Sequence, residues 1–198
     1  ADLYARTDVA TYAIPAVATV VEPATTFQLV TMAAAIESGA VAPGTSFLDT
    51  GSFEYAGSVV RDSFARPPGP MSMNQVLLLS SNVGLSWVAT RVGAPKFYRI
   101  VGDFGFGQQT GIDLPGEVSG LLRQPIEPDW SIFDLAQNAT GQGITATPLQ
   151  IAVSAATVAN GGVRMRPYVV ERVDSPSGTR QISPAVDRRV IRGDTALA

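Results

Sequence analysis

Glycine and proline punctuate this chain so heavily that no long regular element fits anywhere in it. Nineteen glycines and fourteen prolines are spread through 198 residues, and residues 40–71 and 105–128 are especially rich in them. Proline lacks a backbone donor and glycine is costly inside helices and strands, so such clusters mark connections. Regular structure belongs to the stretches between. None of these holds 18 consecutive apolar residues, so none is expected to span a membrane. The most apolar N-terminal run, Ala13 to Val21, is interrupted by Pro15 and Thr19, and the opening lacks the charged and apolar regions of a signal peptide.

The segments between punctuation read mainly as helices. Over residues 25–38, Phe27, Val30 and Ala34 share one face and Leu29, Ala33 and Ile36 another, with Gly39 placed to end the helix. Residues 72–92 hold two helical patterns broken near Ser80-Ser81-Asn82, and residues 94–104 put Phe97, Ile100 and Val101 on one face. The clearest start signal precedes residues 147–160. There Thr147 is an N-cap, Pro148 stands at the first helical position and Gln150 completes a capping box. A hairpin is expected around Ser52 to Val60, and strands over Val163–Val173 and Gln181–Ile191. Residues 1–21 read as mixed and extended. These patterns predict about five helices with a few peripheral strands.

Composition narrows the chemistry. Apolar residues make up 45 % of the chain, enough to exclude disorder and to bury a core. The charged fraction is only 16 %, which suggests extra buried surface or a piece of something larger. The net charge of −3 and the lack of a basic run give no footprint for nucleic acid or an anionic membrane. Without cysteine there is no thiolate chemistry, and without histidine no Ser-His triad. Only one of the fourteen basic residues, Lys96, is a lysine. The acidic residues are scattered, so neither a metal site nor a glycosidase pair is expected. The run Gly105-Phe106-Gly107-Gln108-Gln109-Thr110-Gly111 lacks the Gly-Lys-Ser/Thr of a phosphate loop, and its glycines read as turn positions. No cofactor is expected.

Four stretches together resemble one family. Glu22-Pro23-Ala24-Thr25-Thr26-Phe27-Gln28 resembles the E-P-G-S-T-F-K segment of penicillin-binding protein transpeptidases, and Ser80-Ser81-Asn82-Val83-Gly84 resembles their S-S-N-V-G segment. Phe104–Gly107 with Thr110–Glu117 is similar to F-G-F-G-x-x-T-G-I-D-L-P-G-E. Gly141–Ile144, Thr147–Gln150 and Asn160–Gly162 are similar to G-Q-G-I, T-P-L-Q and N-G-G. The order and spacing over residues 22–162 make the resemblance specific, and it is to the class B proteins that cross-link peptidoglycan in elongation or division. It implies an α+β, helix-dominated transpeptidase/β-lactamase-like domain. Residues 22–162 would form the helical core and residues 163–198 peripheral strands. The central sheet would be incomplete, since the family's sheet draws strands from outside residues 1–198. It also implies a bacterial extracytoplasmic location, with any anchor outside this chain.

In that family the serine of S-x-x-K attacks a D-Ala-D-Ala peptide or a β-lactam, and the lysine one turn on takes its proton. The serine and asparagine of S-x-N shuttle a proton and hold the substrate amide, and a K-T-G strand supplies part of the oxyanion hole. By position the site residues here are Thr25, Gln28, Ser80 and Asn82. Thr25 stands for the serine and Gln28 for the lysine, and K-T-G does not occur within residues 1–198. Gln28 cannot accept a proton near pH 7, and Lys96 lies in a segment the resemblance makes peripheral. The preferred structural reading of Thr25-x-x-Gln28 is a capping box. Ser80 to Asn82 reads as a retained substrate cleft in preference to a simple helix break. If so, Ser80 approaches Thr25 or Gln28 to within about 6 Å, near enough for a direct or one-water hydrogen bond.

Three functions fit these residues. One is a pseudo-transpeptidase that keeps the fold, has weak or lost contact with the peptidoglycan stem peptide or β-lactam, and docks other cell-wall synthesis proteins. A second is an active D,D-transpeptidase working through Thr25. The third, a β-lactam sensor or hydrolase, fails on the same missing groups. The first is the expectation for this chain.

Overall fold

The computed structural model describes residues 13–198. The extended reading of residues 1–21 lies outside the described residues up to position 12, and fails just after it. Pro15 starts a one-turn helix, α1 (Pro15–Ala18), which buries Val17. A 3₁₀ turn (Ala24–Phe27) leads into α2 (Gln28–Glu37). Then come β1 (Ser46–Asp49), β2 (Ser52–Tyr55), β3 (Ser58–Arg61) and β4 (Gly69–Ser72). They are followed by α3 (Met73–Leu78), α4 (Asn82–Val92), α5 (Ala94–Asp103), α6 (Asp134–Asn138) and α7 (Pro148–Ala159). The chain continues through β5 (Val163–Arg166), β6 (Arg172–Ser175), β7 (Gly178–Gln181) and β8 (Ala185–Arg189) to α8 (Gly193–Leu197).

α2 is the hub, packing against α3, α4, α5, α7 and α8. Its run Ala33-Ala34-Ala35 is buried, and these small side chains admit close neighbours. Phe27, 1 % exposed, meets Phe106 edge-on at 4.9 Å and Phe97 at 6.5 Å. Such aromatic contacts stabilise beyond the area they bury. α2 ends as expected at Gly39, with the Gly39 N–H on the Ile36 carbonyl and the Ala40 N–H on the Ala35 carbonyl, a Schellman motif.

The strands form four separate antiparallel pairs: β1–β4, β2–β3, β5–β8 and β6–β7. The hairpin at residues 52–61 was expected. β1 and β4 were not, because residues 40–71 read as connection and Pro70 masks the pattern. Nor does one strand run from Val163 to Val173. Pro167 follows β5 and removes a donor, so pairing stops at Arg166 and resumes in the β6–β7 hairpin. Likewise only residues 185–189 of the expected 181–191 strand pair with β5. The final segment also carries α8, which fastens onto α2. Arg192 N and Thr195 Oγ1 both donate to the Glu37 carboxylate, at 3.0 and 2.6 Å.

The capping box of α7 is present as read. Thr147 accepts from Gln150 N at 3.1 Å, and Gln150 Oε1 accepts from Thr147 N at 2.7 Å. The Gln150 amide also donates to the carbonyls of Gly105, Gln108 and Ser119, at 3.1, 2.6 and 2.9 Å. One buried side chain thus starts a helix and fastens the glycine-rich loop beside it. Glu117 closes that loop by accepting from Thr110 N and Gly111 N, at 2.7 and 3.0 Å.

Candidate functional site

Thr25 and Gln28 do not form a capping box. An N-cap needs extended backbone, and Thr25 instead lies inside the 3₁₀ turn. No side chain caps that turn or α2. The cause is at Ala24, whose φ of +46° is a left-handed conformation that costs L-residues about 1–2 kcal/mol. Ala24 is held there from across the molecule: its N–H donates to the Gly141 carbonyl at 3.1 Å. The two backbones touch so closely that a Cβ on Gly141 would lie 2.3 Å from the Ala24 oxygen. Val21 pairs with Ala146, and Glu22 accepts from Gly143 N at 2.8 Å. Residues 141–146 therefore run along residues 21–24 and fix the approach to Thr25. The family segment has glycine where this chain has Ala24.

The result is an exposed Thr25 above a buried Gln28. Gln28 is 5 % exposed, and its Nε2 is a buried donor without a hydrogen-bond acceptor among the described residues. Unpaired donors of this kind are costly and rare in folded proteins.

The second pair sits at the α3–α4 junction. Ser80 has φ +51° and is the C′ residue of α3. Its N–H meets the Leu77 carbonyl and the Ser81 N–H meets the Val76 carbonyl, at 3.1 and 2.9 Å. This is again a Schellman motif, with serine where glycine is favoured. Ser81 caps α4 by accepting from Gly84 N at 3.0 Å. Asn82 opens α4 and donates to the Arg61 carbonyl at 3.3 Å.

A clasp missed in the sequence holds this junction. Asp62 follows the β2–β3 hairpin. Its carboxylate accepts from Val83 N at 3.1 Å, Ser81 Oγ at 3.2 Å and Arg66 at 2.9 Å. Arg66 also donates to the Leu79 carbonyl at 2.7 Å. The Asp62 charge lies at the N-terminus of α4, where the helix dipole favours an anion. Asp62 and Arg66 lie in the stretch read as connection, where only their i, i+4 spacing could have drawn attention.

α2 and α4 pack together, which puts the elements bearing the two pairs side by side. Asn82 lines a cavity of about 330 Å³ with Arg61, Gln137, Thr140 and Gln142. Gln142 directly follows Gly141, the contact of Ala24. The residue 140–143 segment thus links the two places, while no hydrogen bond joins Thr25 or Gln28 to Ser80 or Asn82. Lys96 is exposed on α5. Among the described residues, no group of His, Cys, Asp or Glu side chains is placed to hold a metal, and no helix is long and apolar enough to cross a membrane.

The family model of the penicillin binding protein transpeptidase domain matches residues 2–196, and the chain belongs to that family. It is 41 % identical over 83 % of its length to penicillin-binding protein PbpB of Mycolicibacterium smegmatis, and covers 25 % of that protein. To the peptidoglycan D,D-transpeptidase FtsI of Escherichia coli it is 32 % identical over 87 % of its length, covering 28 %. The chain thus spans about a quarter of the length of these relatives. Among solved structures, penicillin binding protein 3 of Mycobacterium tuberculosis complexed with aztreonam superposes with a TM-score of 0.86 at 34 % identity. That match covers 92 % of this chain and 40 % of the other. The α+β fold is that of the family, with its sheet incomplete among the described residues.

Proposed function

We propose that this chain is a non-acylating transpeptidase-type module of bacterial cell-wall synthesis, keeping the family cleft as a binding and docking surface. The observation that carries the reading is Gln28. It stands at the family's lysine position, buried and without a partner, and an amide takes up no proton near neutral pH. A positioned base contributes about 10²–10⁴-fold. Neither histidine nor a nearby lysine replaces the base, since Lys96 is exposed on α5. Thr25, Gln28, Ser80 and Asn82 are the site residues under this reading, with Ser80 close enough to the first pair to share one water. Peptidoglycan stem peptides or β-lactams bind weakly or not at all. The module works at the extracytoplasmic face of the membrane.

The exposed hydroxyl of Thr25, free of any capping bond, favours one alternative, an active D,D-transpeptidase using threonine. Intact-mass measurement after incubation with a penicillin separates the two. An unchanged mass is expected. A stoichiometric acyl adduct on Thr25 would establish the alternative.

A further inference from the structure

Charge is unevenly distributed along this chain. Residues 163–192 hold seven arginines against Glu171, Asp174 and Asp187, a net of +4 in a chain whose total is −3. Five of the seven arginines are occupied. Arg164, Arg172, Arg188 and Arg192 form ion pairs, and Arg189 donates to the carbonyls of Gly161 and Ile191. Arg166 and Arg180 are the two without a hydrogen-bond or ion-pair partner among the described residues. They are 14 positions apart, yet they line one recess of about 390 Å³ at the base of the β6–β7 hairpin.

The rest of the recess is informative. Val170, Val173 and Ile182 give it apolar walls, with Val170 39 % and Val173 47 % exposed. Its one carboxylate, Asp113, is already engaged: Val169 N and Val170 N donate to its two oxygens at 2.7 and 2.8 Å. Those backbone bonds hold its pKa below the usual carboxylate range. Asp174 is taken by Arg172 and Thr179. The hairpin itself is exposed along both strands, and among the described residues β6 and β7 pair only with each other, leaving two outer edges.

We propose that this recess binds an extended acidic peptide segment of a partner protein. Carboxylates of the segment would meet the Arg166 and Arg180 guanidinium forks. Alternating apolar side chains would fill the Val170–Val173–Ile182 walls, and the backbone would add to a free hairpin edge. The apolar walls favour a peptide over a phosphate polymer, which presents no apolar groups. The site lies outside the Thr25–Asn82 cleft and holds whether or not that cleft reacts.

The test is fluorescence anisotropy with a labelled octapeptide of alternating Glu and Val, using the chain and two variants. Binding is expected to weaken with added salt. It is expected to fall about tenfold or more in the double variant Arg166→Gln, Arg180→Gln. Arg172→Gln, whose arginine is already paired, is expected to bind within twofold of the parent. Both arginines are exposed, so unchanged thermal melts would confirm that the loss is not one of folding. Equal binding of a Lys-Val octapeptide, or undiminished binding by the double variant, would overturn the proposal. Displacement by tripolyphosphate as effective as by unlabelled peptide would overturn it in favour of a phosphate ligand.

Discussion

Ser80 carries a cost that its position alone does not require. A C′ residue in the left-handed region is best served by glycine, as Gly39 serves the end of α2. Serine there costs about 1–2 kcal/mol in backbone strain, while glycine would return about 0.4–1 kcal/mol through the unfolded chain. Ser80→Gly is therefore expected to raise stability by about 0.5–1 kcal/mol in urea denaturation. A loss instead would mean that the hydroxyl makes a stabilising contact, and the reading of Ser80 as a cleft residue kept against strain would fall. Two identical spacings, Thr25-x-x-Gln28 and Thr147-x-x-Gln150, show where sequence reading succeeds at this scale. Thr147 is extended and caps its helix. Thr25 is not, because the Gly141 backbone more than a hundred residues away bends the chain at Ala24. Local chemistry is written locally, and the constraint that overrides it is not.

Elements with their own start and stop signals were legible: α7 by its cap, α2 by Gly39, the β2–β3 hairpin by its pattern. Elements made by tertiary pairing were not, namely β1, β4, α6 and the β6–β7 hairpin. Gln150 joins the two kinds, since its capping role was readable and its three loop carbonyls were not. Removing it opens the N-terminus of α7 and strands those carbonyls together. Gln150→Leu is expected to destabilise the fold by about 2–4 kcal/mol, more than the roughly 1 kcal/mol typical of a lost cap. A loss near 1 kcal/mol in chemical denaturation would show that the loop contacts contribute little.

At the scale of the whole molecule, α8 is tied to the hub through one carboxylate. Burial pushes the Glu37 pKa up, but hydrogen bonds from Thr195 and Arg192 and the Arg192 charge outweigh it, holding the folded value below that of an ordinary glutamate. A depressed carboxylate stabilises the fold above its unfolded pKa, and that contribution is lost as pH falls through the folded value. Thermal melts between pH 6 and pH 3 should therefore show an acid-side loss that is smaller in Glu37→Gln. An equal loss in both would assign the effect to other groups. The same architecture governs how the chain comes into being. The bonds that seat α2 and its approach join residues 108, 121 and 155 positions apart. During synthesis at about 5–20 residues per second, α2 emerges before the segments that cover it and waits roughly 5–30 s for them. Throughout that interval the apolar face formed by Val30, Met32 and Ala33 to Ala35 is open to water and to other chains, and the unfinished molecule is prone to aggregate until the covering segments arrive.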